Sequence, residues 1–516
     1  MPAQRRSFTR LLAFCLASAA FAHAFVVLQQ QAPILLEDAS RGADTLASKE
    51  LVDSTVLQST ITKDNLLKRA QDLYEIAKVS VDEWQHPTRV IGSEGHAHTL
   101  EYIAQSLESL GDYYNISTQS FPAVVGQVFE SRLVLANGVP DSARAMSNTP
   151  PTPKKEPVLG KLALVHDTGC APHDYPSDVA GAIAFIPRGT CSFGDKSALA
   201  GLAGAKAAVV YNTEPGNIAG TLGRPSPNHV PTFGISAEDA ASFIEQLARG
   251  EKIDASAYID SYVSEIKTQN VLAQTTAGDP DNCVMLGGHS DSVGAGPGIN
   301  DDGSGSLTLL EVATQLTNYT VNNCVRFAWW SAEEEGLLGS DYYVSVLEEE
   351  EKAKIRLFMD YDMLASPNHA YQVYNATNDV NPLGSEELRD LYVDWYTANG
   401  HNFTFIPFDG RSDYDAFIKN GIPGGGIATG AEVIKTEEEE EMFGGQAGIA
   451  FDPCYHELCD DVSNLNLDAW VVNAKLVAHS VATYARSLNG FPKVNRQALA
   501  SASPYEPRYH GSKLAM

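Results

Sequence analysis

The sequence is short of basic residues and of long apolar runs. Lysine and arginine number 36 against 65 aspartates and glutamates, which gives a net charge of −29 and a pI near 4.7. A field of that sign repels nucleic acid and anionic membrane surfaces, so we expect neither as a partner. The best candidate for a membrane span, residues 11–21, is shorter than the ~20 residues that a span needs.

Residues 1–24 have the layout of a secretory signal peptide. Three arginines precede the apolar run 11–21, and an Ala-His-Ala triplet at 22–24 offers a small-x-small cleavage site. The alternative interpretation is a membrane anchor. We predict a protein that is secreted or delivered to the vacuolar lumen. Both routes begin with a signal peptide, so the sequence does not separate them.

Cysteine is also scarce, and one of the seven cysteines, Cys15, lies in the predicted signal peptide. An even number remains, which in an exported chain favours disulfide bonds. We predict that neighbours in the sequence pair, although other connectivities stay open: Cys170 with Cys191, Cys283 with Cys324, and Cys454 with Cys459. Four Asn-x-Ser/Thr sequons predict a glycoprotein; they lie at Asn115, Asn318, Asn375 and Asn402.

The length of 516 residues favours two folded units. After the signal, residues 25–60 are a lead-in or propeptide, and 61–150 begin the main domain with helices from 64 and over 98–110. A Pro- and Thr-rich linker at 147–157 opens a separate block, 151–262. The main domain continues over 263–490, and 491–516 are expected to form a disordered tail.

The two larger blocks differ in pattern. Block 151–262 predicts short buried strands at 161–165, 181–186 and 207–211 and an Ala-rich helix at 195–205. It has no cluster of metal-ligand residue types, which favours a structural or lid module. The block 263–490 alternates strands with helices and predicts an α/β fold. Its strands are expected at 284–287, 325–330 and 357–361, and its helices at 304–317 and 467–487.

Metal-ligand residue types follow those three strands. His289 and Asp291 follow the first, the glutamates 333–335 follow the second, and Asp362 ends the third. In an open α/β sheet, sites form outside the carboxyl ends of the strands, so we expect these side chains to meet in one crevice. Asp301 and Asp302 lie in a Gly-rich turn, and His456 lies between two cysteines.

So many carboxylates in one crevice repel one another, and burial adds a desolvation cost. A divalent cation removes that cost. Histidine with carboxylate ligands suits zinc, and a shared carboxylate suits two metal ions about 3.5–4 Å apart. The alternative for each single residue is a solvated acidic surface.

Five motifs in a fixed order resemble the co-catalytic dizinc aminopeptidase family, of the vacuolar aminopeptidase Y and secreted fungal leucine aminopeptidase type. They are His289-Ser290-Asp291-Ser292, Gly298 to Gly305 (GINDDGSG), Ala332-Glu333-Glu334, Tyr361-Asp362-Met363 and Cys454-Tyr455-His456. The resemblance runs from about residue 60 to 488. It implies a three-layer α/β/α zinc peptidase with a mixed central sheet, into which a smaller protease-associated domain is inserted at 151–262.

The resemblance also implies the metal ligands. His289 and Asp362 are expected to hold one zinc ion, and Glu334 and His456 the other. Asp301 is expected to bridge both ions, with Asp302 as the alternative bridge, which spacing alone does not exclude.

Further roles are carried over in the same way. Asp291 would orient the imidazole of His289, and Glu333 would be the general base that takes a proton from water and returns it to the leaving amine. Tyr455 would donate a hydrogen bond to the developing oxyanion. The substrate amine would face Glu333, Asp362 and the backbone of Arg411. Loops at 423–426 and 430–432 are expected to form the pocket for the first side chain, and the Cys454–Cys459 disulfide to pin its loop.

Three residues depart from the pattern that we expect of the family. Glu335 stands where an apolar or aromatic residue is common, Asp360 where Asn is usual, and Ser331 where Gly or Thr is usual. None of them removes a predicted ligand, but Glu335 blurs which of three glutamates is the base and which is the ligand.

The sequence therefore predicts a dizinc metallo-aminopeptidase. It would be a monomer that removes N-terminal amino acids from peptides with a free N-terminus. A carboxypeptidase or dipeptidase on the same scaffold is one alternative, and it would need basic residues to hold a substrate carboxylate. A catalytically dead receptor would lack metal ligands, and all five candidates are present. A binding module built on 151–262 alone would leave the strand-end carboxylates unexplained.

Overall fold

A computed structural model describes residues 49–493 apart from Ala219. The predicted signal peptide, most of the lead-in and the C-terminal tail lie outside the described residues. Within the described part of the chain, no helix is both long and apolar enough to cross a membrane.

The elements follow one another in an α/β order. The helices are α1 (Ser54–Thr60), α2 (Lys63–Ala77), α3 (Val81–Trp84), α4 (Glu94–Glu108), α5 (Phe193–Leu202), α6 (Ala237–Ala248), α7 (Gly303–Leu316), α8 (Leu338–Ser345), α9 (Glu349–Lys354), α10 (Ser385–Ala398), α11 (Tyr414–Lys419), α12 (Glu437–Phe443) and α13 (Leu467–Arg486). The strands are β1 (Tyr114–Leu135), β2 (Arg144–Ala145), β3 (Val158–Leu164), β4 (Ile183–Pro187), β5 (Ala207–Tyr211), β6 (Thr232–Ile235), β7 (Asp254–Thr275), β8 (Asp279–His289), β9 (Asn323–Trp330), β10 (Ile355–Tyr361), β11 (Gln372–Tyr374), β12 (Thr404–Ile406) and β13 (Gly424–Ala428).

These strands form one mixed sheet of 13 strands, in the order β12-β11-β13-β10-β8-β9-β7-β3-β4-β5-β6-β2, with β1 beside β7. The three strands predicted to carry the site are β8, β9 and β10. They are neighbours and run parallel, with β8 in the middle. Their carboxyl ends therefore lie at one edge of the sheet, as the sequence predicted.

Helices cover both faces of the main part of the sheet. Trp329 points to one face, where its indole nitrogen donates to the carbonyl of Ser306 in α7 at 2.9 Å. Trp330 points to the other face and packs against Tyr343 of α8 and Phe417 of α11. Both tryptophans are fully buried. This is the three-layer α/β/α arrangement with a mixed sheet that the sequence predicted.

A long antiparallel ribbon joins the main domain to the second block. Its strands β1 and β7 have 22 residues each and pair from Tyr114 with Thr275 to Leu135 with Ala255. The end of β7 pairs with β9, and its beginning pairs with β3. The sequence pattern does not predict this ribbon.

The second block is a smaller α/β unit in which β3, β4, β5 and β6 run parallel. The predicted strand 207–211 is observed with those bounds. The predicted helix at 195–205 begins earlier, at Phe193, because the Ser192 side chain caps it by accepting from the N–H of Asp195. Among the described residues, no group of metal-ligand type lies in this block.

Residues 50–60 pack onto the last helix. Val52 and Leu57 are fully buried. The Ser54 hydroxyl lies 2.7 Å from Nδ1 of His479, and Arg486 donates to the carbonyl of Val52 at 2.9 Å. At least the end of the predicted lead-in is therefore part of the fold, while the boundary at residue 61 stays a prediction.

Candidate metal centre

Three of the five predicted ligands follow apolar strands, Asp301 lies just before a helix, and His456 lies in a loop. His289 is the last residue of β8, Glu334 lies four residues after the end of β9, and Asp362 directly follows β10. The strand interiors are apolar because both faces are covered by helices. Polar side chains gather mainly where the strands end, and these three lie at the same edge.

Asp301 lies between two imidazoles. Its Oδ1 is 3.2 Å from Nε2 of His289, and its Oδ2 is 3.1 Å from Nε2 of His456. The same nitrogen of His289 lies 3.7 Å from Oδ1 of Asp362, and that of His456 lies 3.0 Å from Oε2 of Glu334. The donor atoms therefore form two trios that share the Asp301 carboxylate.

These spacings fit zinc. Donors bound at about 2.0–2.2 Å in a tetrahedron lie roughly 3.3–3.6 Å from one another. The distances from each imidazole nitrogen to its two carboxylate neighbours, 3.2 and 3.7 Å at His289 and 3.1 and 3.0 Å at His456, are close to that. Glu334 Oε1 and Asp362 Oδ1 are buried without a hydrogen-bond partner in the described part of the chain. Buried carboxylate oxygens rarely stay unpartnered, and a cation would satisfy them. The donor set of histidine and carboxylate thus fits two zinc ions.

The carboxylate of Asp302, unlike that of Asp301, accepts hydrogen bonds from backbone N–H groups on three different segments. Its Oδ2 accepts the N–H of His289 at 3.1 Å, and its Oδ1 accepts the N–H groups of Gly305 and Met363 at 2.8 and 3.1 Å. These three bonds hold two strand ends and the start of α7 together. Of the two adjacent aspartates, Asp301 is the one that faces both imidazoles.

Burial makes the bare carboxylates electrostatically costly. It raises the pKa of Glu333 well above its usual value, and the charge of Glu334 raises it further. Burial likewise raises the pKa of Asp362 and of Asp291 to about 6 each. Asp301 is the exception: burial alone would raise its pKa, but the hydrogen bonds from the two imidazoles lower it. Bound divalent cations would relieve the repulsion among the other carboxylates.

Asp291 supports three neighbours. Its carboxylate accepts the N–H groups of Glu333 and Glu334 at 3.3 and 3.4 Å. The Nδ1 of His289 lies 3.2 Å from the Asp291 carbonyl and 3.7 Å from its carboxylate. The backbone carbonyl is therefore nearer the imidazole than the carboxylate that the resemblance implies as its orienting group.

Tyr455 and Arg411 lie beside this cluster. The Tyr455 ring stacks on the His456 imidazole with centroids 3.8 Å apart. Burial raises the pKa of the Tyr455 phenol well above its usual value, so it stays protonated. Arg411 pairs with Glu432 through Nη2 and Oε1 at 3.0 Å. The next residue, Ser412, donates to Oδ2 of Asp362 at 3.0 Å.

The three residues that depart from the expected family pattern lie under or beside the cluster. Ser331 Oγ donates to the carbonyl of Gln269 at 2.7 Å and lies 3.3 Å from Nε2 of His96. Asp360 Oδ2 accepts the N–H of Tyr414 at 3.3 Å, and burial raises the pKa of Asp360 to about 7. Glu335 is buried, which raises the pKa of its carboxyl well above its usual value.

Left-handed backbone conformations gather at the cluster. Ala332, Met363 and His456 have φ values of 61°, 54° and 60°. Ala332 precedes Glu333, and Met363 follows Asp362. Such conformations cost free energy in residues other than glycine and persist where surrounding contacts fix them, which is common at functional sites.

Arg89 supports the cluster from a distant part of the sequence, and the sequence analysis missed it. It is fully buried and donates to the carbonyls of Ser290, Pro297 and Gly298. Burial lowers the pKa of its guanidinium, although nearby aspartates oppose that shift. A single arginine between two helices has no spacing pattern that would have revealed this contact.

The three predicted disulfides are present, and the four sequons lie at the surface. The structure joins Cys170 to Cys191, Cys283 to Cys324 and Cys454 to Cys459. The last disulfide closes the loop that carries Tyr455 and His456. All four sequon asparagines are exposed: Asn115, Asn318, Asn375 and Asn402.

Comparisons with known proteins agree with this geometry. Residues 270–481 match the family model of peptidase family M28, and residues 158–243 match that of the PA domain. The chain is 50% identical to aminopeptidase Y of Saccharomyces cerevisiae over 462 residues, which cover 87% of this chain and 83% of that protein. It is 44% identical to a probable leucine aminopeptidase 2 of Aspergillus fumigatus over 465 residues, 89% of this chain and 90% of that protein.

Solved structures show the same fold. An aminopeptidase from Aneurinibacillus sp. strain AM-1 superposes with a TM-score of 0.65 at 25% identity, covering 89% of this chain and all (100%) of that one. A zinc aminopeptidase from Bacillus subtilis superposes with a TM-score of 0.57 at 22% identity, covering 85% and 99% of the two chains.

Proposed function

Since the chain belongs to peptidase family M28, we propose that it is a dizinc aminopeptidase that removes N-terminal amino acids from peptides. The observation that carries this proposal is the pair of donor trios that share Asp301. That arrangement would hold two metal ions at the carboxyl ends of β8, β9 and β10.

Each proposed ligand has a single role at the two metal sites. His289 and Asp362 would hold one zinc ion, Glu334 and His456 would hold the other, and Asp301 would be shared by both. When bound, the two ions supply Lewis acidity that lowers the pKa of water and polarises the carbonyl of the first peptide bond.

Glu333 is the general base. One of its carboxylate oxygens lies 3.8 Å from Nε2 of His289, so it borders the metal site without belonging to either trio of closest donors. Asp291 fixes its backbone. In that position Glu333 takes a proton from the attacking water and delivers it to the leaving amine.

Tyr455 stabilises the oxyanion. Its hydroxyl stays protonated because the ring is buried, so it keeps a proton to donate as negative charge develops on the carbonyl oxygen. Stacking on His456 holds the ring beside the second trio.

The charges favour a substrate amine over a substrate carboxylate. Glu333 and Asp362 present negative charge to the end of the peptide, and Arg411 lies on the adjoining loop. The Arg411 guanidinium is already paired with Glu432, so its charge is compensated within the protein. A carboxypeptidase would need an uncompensated cation there, and this pairing therefore supports the aminopeptidase.

We further propose that the protein acts as a glycosylated monomer in the secretory pathway, either secreted or in the vacuolar lumen. Three disulfides support an oxidising compartment. The four exposed sequons support glycosylation, and the substrates are peptides with a free N-terminus.

Metal analysis beside an aminoacyl-anilide panel tests the function. We expect two zinc ions per chain, loss of activity on chelation and its return with zinc. Leucyl-anilide is expected to be cleaved, whereas the same substrate with an acetylated amine is not. Full activity in the chelator-stripped protein, or equal cleavage of the acetylated substrate, would refute the proposal.

A further inference from the structure

The two metal trios depend on the relative position of two loops that are far apart in the sequence. Asp301 belongs to the turn before α7, while His456 belongs to the loop closed by the Cys454–Cys459 disulfide. No strand pairing joins these two segments. The disulfide ties the second loop only to itself, so something else must set the distance between the Asp301 carboxylate and the His456 imidazole.

Asp460 joins the two loops through three hydrogen bonds to the segment 299–301. Its backbone carbonyl accepts the N–H of Ile299 at 3.0 Å. Its Oδ1 accepts the N–H of Asn300 at 2.9 Å, and its Oδ2 accepts the N–H of Asp301 at 3.1 Å. Three successive N–H groups of the Asp301 segment are thus held by one residue that directly follows Cys459.

Asp452 makes a parallel connection at the other end of the loop. Its Oδ2 accepts the side-chain amide of Asn300 at 2.6 Å, and its Oδ1 accepts the N–H of Cys454 at 2.8 Å. Asn464 then joins the two carboxylates. Its Nδ2 lies 3.0 Å from both oxygens of Asp452 and 3.0 Å from Oδ1 of Asp460. The side chains of Asn300, Asp452, Asp460 and Asn464 are all buried, so water does not compete for these hydrogen bonds.

The Asp301 segment is also held by contacts that do not involve the 454–459 loop. Asp302 is held by the N–H groups of His289, Gly305 and Met363, and the N–H of Ala365 donates to Oδ1 of Asn300 at 3.0 Å. If the hydrogen bonds to Asp460 weaken, the 454–459 loop is therefore expected to shift more than Asp301 does. The displaced ligand is then His456.

We propose that Asp460, joined to Asp452 through Asn464, is a positioning residue that sets the geometry of the His456 half of the metal site. The inference rests on the proposed dizinc function. Asp460 touches neither metal nor substrate in this scheme. It acts by holding the two loops at the separation at which Asp301 and His456 can share one ion, and such supporting contacts commonly tune metal affinity.

Zinc titration of the metal-free, full-length protein against a chromophoric chelator tests this. In Asp460→Asn, an amide donor replaces one acceptor oxygen opposite a backbone N–H, at unchanged volume. We expect one of the two zinc affinities to fall about 10–100-fold and the other to stay within about threefold. At saturating zinc, kcat should return towards the wild-type value, a rescue that a general folding defect does not show.

His456→Ala identifies which site is affected. That variant has already lost a donor of the second trio, so adding Asp460→Asn should change its remaining tight zinc affinity by less than about threefold. If Asp460→Asn does not fold, Asn464→Ala replaces it. This second variant leaves the backbone bonds of Asp460 in place, and we expect it to weaken the same site by at least about threefold.

The chain provides a matched control in Asp174. Its Oδ2 accepts the consecutive N–H groups of Cys170 and Ala171 at 2.9 and 3.1 Å, beside another disulfide and away from the metal centre. Asp174→Asn should lower the melting temperature without changing either zinc affinity.

The inference is overturned if the Asp460 variant, or the Asn464 variant in its place, binds both ions with wild-type affinity. It is also overturned if both affinities fall equally, or if Asp174→Asn has the same effect. A wild-type protein that does not bind two zinc ions would instead refute the proposed function.

Discussion

Glu333 and Glu335 are two buried glutamates of one short segment, and they have different surroundings. Glu333 brings an oxygen to 3.8 Å from Nε2 of His289. Glu335 makes no ion pair with His289 or His456 within the part of the chain that the structure describes, and the nearby charges that raise its pKa further are those of Asp291 and Glu334. The geometry therefore supports the prediction that Glu333, rather than Glu335, is the base.

This difference gives a paired prediction. We expect Glu333→Gln to keep two zinc ions and to lower kcat on leucyl-anilide by about 10²–10⁴-fold, because the amide cannot accept the proton of water. Glu335→Gln should keep most of the activity, since burial already favours the protonated form of that carboxyl, which glutamine mimics. Steady-state kinetics beside metal analysis measure both. If Glu335→Gln abolished turnover and Glu333→Gln did not, the base would be misassigned.

The proposed ligands could be picked out from the sequence, because each follows a recognisable apolar strand or lies in a motif. The residues that hold them could not. Arg89 and Asp460 contact segments about 160–210 positions away, and a single polar residue without periodicity gives no signal of a partner that far along the chain. Spacing favoured Asp301 as the bridge but did not exclude Asp302. Only the direction of each carboxylate separates them.

At the scale of elements, the loop that carries Tyr455 and His456 has neither helix nor strand to stiffen it. The Cys454–Cys459 disulfide, with a sequence separation of 5, closes it, and Asp452 and Asp460 anchor its two ends. The His456 backbone is left-handed, with φ at 60°, so the native loop is one that a free chain would rarely adopt.

Cys454→Ser with Cys459→Ser should therefore reduce both stability and turnover. Chain entropy predicts a loss of about 2 kcal/mol in the free energy of unfolding for so short a loop. We expect kcat to fall as well, because the loop then samples positions in which Tyr455 and His456 do not face the metal site. Thermal unfolding and anilide kinetics measure the two effects.

Cys170→Ser with Cys191→Ser is the control. That disulfide closes a longer loop, with a separation of 21, so its removal should cost about 3 kcal/mol. It lies in the second block, so kcat should stay within about twofold at a temperature where the variant is folded. Equal loss of kcat in both double variants would show that the disulfides act on global stability alone.

The predicted helices and strands show the same contrast between local and long-range information. The central strands β9 and β10 were predicted to within two residues, because each contains a continuous apolar run, whereas β8 begins five residues before its predicted start. The ribbon of β1 and β7 was missed, in part because much of β1 is exposed and β1 contains Pro122 and Gly126. What holds those strands is their pairing with each other, and a single sequence does not show such a pairing.

At the scale of the whole molecule, the ribbon is also where the two blocks divide. Phe121, Val125 and Ile266 pack against the core of the main domain. Further along, Leu133 and Ile259 belong to the core of the second block. Gly126 and Val263 are paired across the ribbon between these two sets. The proposed insertion at 151–262 can therefore be removed most cleanly inside the ribbon, at this pair, rather than at its ends.

We predict that replacing residues 127–262 with a two-residue Asn-Gly turn leaves a folded peptidase. Paired residues of an antiparallel ribbon are about 5 Å apart, so a type I′ turn spans the cut. All proposed ligands and Glu333 lie outside the deleted segment. The shortened chain should bind two zinc ions and cleave leucyl-anilide within about tenfold of the wild-type rate.

A cut at Leu135 and Ala255 should instead leave Leu133 and Ile259 exposed and give an aggregating protein, as light scattering would show. A shortened chain that folds and binds zinc but has lost anilide cleavage would mean that the second block contributes directly to the active site.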